Sequence, residues 1–208
     1  MATENYTLRI KADNLGTVSE VRNFLSDIEN AYNGLYTFDF IVEVLSYEYE
    51  RRRDTRLKLG PRFDDLYYYF GFFETIPNLI ELHSRVDVQK IMLPGERLIL
   101  SKINIQSPGF WEFLGNLNPL QQIREFLKDH HERKKDKKYR NAQEKRKGEL
   151  DILERENNLI NQRIDTLKRL GYSDLEIRQL LNTLVMEPLQ KLAMHQNTGL
   201  IEGPDDNN

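Results

Sequence analysis

"SPGFWEFLGNLNPL", residues 107–120, decides how the two halves of this chain meet, and it contains the single tryptophan, Trp111. The Ser-Pro-Gly at its start predicts a turn, and "FWEFL" predicts a short strand that runs back along the strand before the turn. A helix that opens near Pro119 must then fold over this sheet to bury its own apolar residues. We therefore expect the Trp111 ring to fill the junction as a packing residue, although an exposed anchor for a partner is the alternative.

The sequence before this stretch predicts a strand followed by two helices. Residues 6–11 alternate between apolar and polar side chains, which is typical of a half-buried strand. Apolar residues at helical spacing over 18–28 predict a helix that frays near Gly34. Residues 35–53 exceed the usual length of a strand and predict a second helix.

The stretch just before the turn predicts the partner strand. "RLILSKINIQ", residues 97–106, has the β-branched content of a strand, and we expect Ile99, Ile103 and Ile105 to share one face. Residues 54–96 give no readable pattern, because aromatic residues, prolines and a glycine interrupt every periodicity.

These elements predict an α+β fold, in which a small antiparallel sheet carries helices on one face and is followed by a long charged helix and a C-terminal αα-hairpin. We expect an α+β head domain over residues 1–118 and a helical region over residues 119–195. Residues 196–208 end in "GPDDNN" and predict a flexible tail.

Apolar residues recur at alternating spacings of three and four over residues 150–167, which indicates a coiled-coil-like seam. Between two chains, an antiparallel pairing would place Glu156 near Arg163. The alternative is a seam packed inside one chain against the last helix, because a short connection at Gly171 favours a hairpin. The predicted interface residues are Leu150, Leu153, Asn157, Ile160, Ile164 and Leu167.

Residues 128–147 carry a net charge of +6, whereas the rest of the chain carries −9. Acidic residues at helical spacing within the segment favour a solvated spacer. Binding to nucleic acid or to an anionic surface is the alternative. The residues that would bind the anion are Arg133, Lys134, Lys137, Lys138, Arg140, Lys145 and Arg146.

The sequence contains no cysteine and none of the common phosphate-binding, zinc-protease or serine-hydrolase motifs. His130 and His131 are adjacent, and side chains at that spacing point about 100° apart on a helix, which disfavours a metal site. We therefore expect no catalytic residues, no metal and no cofactor. No apolar run is long enough for a membrane span, and the amino terminus does not resemble a secretion signal, so we expect a cytoplasmic protein.

The order of elements in "YTLRIKADNLG", "VRNFLSDIENAYNGLY" and "LSKINIQSPGFWEFLG" resembles bacterial TRADD-N-like adaptor modules, which are ferredoxin-like, over about the first half of the chain. This resemblance implies an adaptor role in bacterial signalling or defence. Combined with the seam, it leads to the expectation of a non-enzymatic protein that self-associates or docks a protein partner through its C-terminal helices. The alternative is a protein that uses the basic helix to bind nucleic acid or an anionic surface.

Overall fold

The structure is a computed structural model, and it describes residues 5–12, 16–53, 78–106, 108–136 and 158–205. The first two elements are the strand β1 (Asn5–Ala12) and the helix α1 (Val18–Arg53). Leu8 and Ile10 of β1 are buried, as the alternation predicts. The predicted helices over 18–28 and 35–53 are parts of one continuous helix.

The predicted break near Gly34 is wrong, because this glycine marks a close approach between helices. A Cβ atom at Gly34 would overlap the carbonyl oxygen of Leu184. The residue is a glycine because it lets another helix touch the backbone of α1, and the helix runs through it without interruption.

Two short helices, α2 (Leu79–Arg85) and α3 (Val88–Ile91), and the 3₁₀ turn Pro94–Glu96 lead to a β-hairpin. Its strands are β2 (Ile99–Asn104) and β3 (Gly109–Asn116). The sheet has the order β1-β3-β2, and both pairings are antiparallel. The predicted pairing of the two strands around the Ser-Pro-Gly stretch is confirmed.

The rest of the described chain is helical. Gly171 adopts a left-handed conformation, with a φ of 94°, just after the helix that ends at Arg169. A capping box opens the helix that begins at Asp174, since Ser173 and Glu176 each accept a hydrogen bond from the other's backbone N–H. The elements are α4 (Leu117–Asp136), α5 (Asn158–Arg169), α6 (Asp174–Leu181), the π-helical turn Asn182–Met186 and α7 (Glu187–Thr198).

The core lies between the helices and one face of the sheet. Trp111 is only 7% exposed, and its ring meets the ring of Phe24 edge to face at 5.6 Å between centroids. Leu120 and Ile123 of α4 are fully buried beside it. The prediction that Trp111 is a buried packing residue is confirmed, and so is the α+β fold with a small antiparallel sheet.

The structure differs from the predicted separation into a head domain, a helical region and a flexible tail. One apolar core contains residues of β1, of α7 and of the segment after it, including Leu200 and Ile201. Residues 202–205 then lie along β1. The segment is ordered by contacts with β1 and α4, which are distant in sequence. Its own composition therefore does not indicate that it is ordered.

Candidate docking edge

The two edges of the sheet differ in the segments that pair with them in the described structure. Along β1, the backbone N–H of Lys11 donates to Gly203 O at 2.9 Å, and the N–H of Asp205 donates to Arg9 O at 2.8 Å. These bonds flank the antiparallel bridge between Ile10 and Pro204. The tail segment therefore acts as an additional edge strand that closes the β1 side of the sheet.

Pro204 also prevents this side from growing further. In an antiparallel bridge whose hydrogen bonds come from the neighbours on either side, the backbone groups of the central residue point away from the partner strand. Pro204 has no N–H to offer at that outward position, and proline is one of the residues that protect sheet edges.

The other edge of the sheet is not covered in this way. Among the described residues, no strand and no isolated bridge pairs with the outer side of β2. Apolar side chains concentrate at this edge and just before it. The exposed ones are Leu93 (56%), Ile99 (50%), Leu100 (37%), Ile103 (45%) and Ile105 (71%). We call Arg97 to Gln106 the β2 edge.

Apolar side chains lie on both faces of β2, because the strand contains an irregularity. Leu100 pairs with Phe113 and Ile103 with Trp111, so both point to the helical side of the sheet. The register shifts between Leu100 and Lys102, which turns Ile99 to the opposite face. The prediction that Ile99 shares a face with Ile103 is therefore wrong.

The described helices leave β2 uncovered because they pack over the other two strands. Helix α4 contacts β1 and β3, and Phe24 of α1 reaches the rings of Trp111 and Phe113 on β3. Leu100 and Ile103 lie next to these buried rings, one strand further out. They continue the apolar face of the sheet to its edge, where in the described structure they are exposed to solvent.

A buried polar cluster holds the start of β2 in place. The Tyr36 hydroxyl donates to Glu96 Oε2 at 2.6 Å, and the N–H of Leu93 donates to the same oxygen at 3.0 Å. The Tyr32 hydroxyl donates to the Glu96 carbonyl and accepts from the N–H of Asn116 at 2.7 Å. Burial raises the pKa of Tyr32 to about 12, so this hydroxyl keeps its proton at neutral pH. These hydrogen bonds fix the chain just before β2, while no strand of the described residues pairs with its outer side.

The face of the sheet opposite the helices carries a row of charges. Arg9, Glu112 and Lys102 lie side by side on the three strands. Arg9 Nε donates to Glu112 Oε2 at 3.1 Å, and this hydrogen bond holds the pKa of the carboxyl below its usual value. Two cations flank the ring of Phe110, the Arg9 guanidinium at 4.3 Å and the Lys102 ammonium at 5.6 Å from its centroid.

The predicted seam lies against this chain's own core where the structure describes it. Ile160, Ile164 and Leu167 are buried, and α5 packs on α1 and α6. Arg163 Nε donates to Asp39 Oδ1 of α1 at 3.0 Å, where the sequence had suggested Glu156 of a second chain. The described turns thus follow the intramolecular alternative. Leu150, Leu153 and Asn157 lie outside the described residues.

The predicted basic helix is described only at its beginning. The Lys134 ammonium donates to Gln196 O at 2.6 Å, so it ties α4 to α7. Arg133 is half-buried on the same helix. The other predicted anion-binding residues lie outside the described residues: Lys137, Lys138, Arg140, Lys145 and Arg146.

Two of the described histidines have structural partners. His130 Nδ1 lies 2.7 Å from Gln196 Oε1, and His195 Nε2 lies 2.8 Å from Asp27 Oδ2. The described part of the chain contains no group of three or more potential metal ligands. A search of its helices for a segment with the length and apolarity of a membrane span finds none.

The β2 edge was missed in the sequence, although a signal for it exists. In "RLILSKINIQ", apolar residues occupy both odd and even positions, as in a strand whose two faces both meet apolar surface. A strand with one solvated face would show polar residues at every second position.

Comparison with known proteins adds no relative. No family model matches the chain, and no curated protein and no solved structure shows significant similarity to it. The resemblance to TRADD-N-like modules stays a prediction, and the function must be argued from the geometry.

Proposed function

We propose that this protein is a non-enzymatic, cytoplasmic interaction module, and that it docks a protein partner along the β2 edge. The observation that carries this proposal is the contrast between the two sheet edges. The β1 side is closed by the tail and by Pro204, whereas β2 presents Leu100 and Ile103 to solvent.

An uncovered edge strand has an intrinsic capacity to bind. Its outward N–H and C=O groups can form the same ladder with another chain that they would form with a neighbouring strand. Proteins usually protect such edges, as the tail does here for β1. An edge that combines unprotected backbone with apolar side chains on both faces supports a docking role.

This proposal moves the docking surface away from the C-terminal helices. In the described residues, the apolar sides of α5, α6 and α7 are used in the chain's own core, for example by Leu167, Leu180 and Leu189. Self-association through the seam would need Leu150, Leu153 and Asn157. The adaptor role implied by the resemblance is compatible with either surface.

The proposal can be tested by selecting extended peptides from a random library on the wild-type protein. The affinity of the selected peptides is then measured for the double variant Leu100→Thr/Ile103→Thr, since threonine keeps strand propensity but removes apolar area. We expect the dissociation constant to rise at least tenfold, because two apolar contacts of roughly 1 kcal/mol each are lost.

A matched control carries Val18→Thr and Ile80→Thr, which change exposed apolar residues on helices away from the sheet. This control should bind as the wild type does, and thermal unfolding should show all three proteins folded. A selection without binders, or binders that do not distinguish the two variants, would contradict docking at β2.

A further inference from the structure

The charges of the β2 edge indicate what kind of segment it accepts, an inference that rests on the proposed docking function. Residues 97–106 contain Arg97 and Lys102 and no aspartate or glutamate. Both cationic residues are exposed. A partner that lies along this strand therefore meets positive charge near one end and near the middle of the edge.

The nearest carboxylate on this side of the sheet does not balance these cations. Glu112 accepts two hydrogen bonds from Arg9 through Oε2, and the Ser101 hydroxyl lies 3.1 Å from Oε1. Its lowered pKa, due first to the hydrogen bond from Arg9, keeps it ionised at neutral pH, so it neutralises one cation of the row. Arg9 and Lys102 together carry two positive charges, so the row of Arg9, Glu112 and Lys102 retains a net positive charge.

This charge argues against a second copy of the chain as the occupant. Two copies that paired through β2 would bring one strand with Lys102 and Arg97 against an identical strand, and residues 97–106 of neither copy contain an aspartate or glutamate. Like charges brought together across an interface oppose association, whereas complementary charges favour it. The tail cannot serve in its own chain, because it lies along β1 at the opposite edge.

We infer that the β2 edge binds an extended segment of a partner protein, in which apolar side chains on one face alternate with acidic residues on the other. The alternate apolar side chains would cover Leu100 and Ile103 on the helical side of the sheet. The acidic residues would face Lys102 and Arg97. The backbone of the segment would continue the sheet as its next strand.

Synthetic peptides test the charge and the pairing separately. The acidic probe has six central positions, the length of β2, in which valines alternate with aspartates, and one further aspartate at each end. The basic probe replaces the aspartates by lysines. We expect the acidic probe to bind at least tenfold more tightly at low ionic strength, and the difference to shrink as salt screens the charges.

Two further probes carry N-methyl groups on the odd or on the even backbone amides of the acidic peptide. A strand paired on one side uses only alternate amides for that pairing. One methylated probe should therefore lose binding while the other retains it. If both bind like the parent peptide, the segment does not add to the sheet, and the inference is overturned.

A charge exchange in the protein completes the test. The variant Arg97→Glu/Lys102→Glu should prefer the basic probe over the acidic one. The control Arg178→Glu/Lys191→Glu makes the same change of charge at exposed positions on α6 and α7 and should keep the wild-type preference.

The outcomes separate this inference from the docking function itself. If acidic and basic probes bind equally and both weaken on Leu100→Thr/Ile103→Thr, docking at β2 stands and the acidic partner is refuted. The same holds if neither probe binds while uncharged peptides from the library do. If the wild type is a dimer in solution that Leu100→Thr/Ile103→Thr dissociates, the occupant is a second copy, and the inference is again overturned.

Discussion

Gly34 and Leu184 determine how closely the π-helical turn can approach α1. The absence of a Cβ atom lets the Leu184 carbonyl oxygen lie against the backbone of α1. A π-helical turn is a rare conformation, and here it packs directly against the longest helix of the described chain. The contact is therefore set by the absence of a side chain on one helix and by an unusual backbone on the other.

The substitution Gly34→Ala tests this contact. Alanine is the better helix former by roughly 1 kcal/mol, but the new methyl group would overlap the Leu184 carbonyl, and overpacking typically costs about 1–3 kcal/mol. We expect a net loss of stability in urea unfolding. Gly95→Ala is the control, since a Cβ there meets nothing within 4 Å. A Gly34→Ala variant as stable as the wild type would show that the helices do not depend on this approach.

At the scale of elements, α5 is tied to α1 by an ion pair with a buried carboxylate. Burial raises the pKa of Asp39, while the Arg163 guanidinium 3.0 Å away opposes this shift. Removing the cation would leave the carboxylate without its main compensation. The pair therefore matters most through the cost of breaking it.

We expect Arg163→Met to lower the free energy of unfolding by about 1–3 kcal/mol at pH 7, less than for a fully buried pair because Arg163 is partly exposed. The native pKa of Asp39 should rise further, so the native state binds a proton that the unfolded state releases. The deficit should therefore shrink as the pH falls toward about 4. In Asp39→Leu/Arg163→Met, most of the stability should return. An unchanged deficit at low pH would exclude Asp39 as its origin.

The elements also show where reasoning from sequence succeeds. The alternation in β1 depends on neighbours within a few positions, and the burial of Trp111 on the strong preference of one large ring for the interior. The continuity of α1 through Gly34 and the irregularity in β2 depend on which distant backbone lies alongside. That information is not contained in local periodicity.

At the scale of the whole molecule, the tail segment completes both the core and the sheet. Leu200 and Ile201 are buried, and residues 202–205 hydrogen-bond to β1. Gln196 links this segment to α4, because its amide donates to Leu127 O at 2.9 Å and also to Glu202 O. A composition typical of a flexible tail thus becomes ordered through distant partners on β1 and α4. The docking edge was hidden from sequence for the same reason, because which edge is closed depends on the tail.

Deletion of residues 202–208 should expose β1 and remove three backbone hydrogen bonds, each worth about 0.5–1.5 kcal/mol. We expect Tm to fall by roughly 3–18 °C, as about 1 kcal/mol shifts Tm by 2–4 °C at this chain length. Light scattering should rise as β1 edges associate. Deletion of residues 206–208 alone is the control and should change neither quantity. If the longer deletion leaves Tm and scattering unchanged, the tail does not protect the sheet.

The pairing of Ile10 with Pro204 has a consequence for biosynthesis. A ribosome delivers β1 early, but the segment that protects it emerges only after almost all of the intervening chain has been translated. Until then the nascent polypeptide presents an unguarded strand, and native pairing must await contacts between residues far apart in sequence, which slows folding. Chaperone dependence should therefore be greatest for translation intermediates that stop short of Glu202.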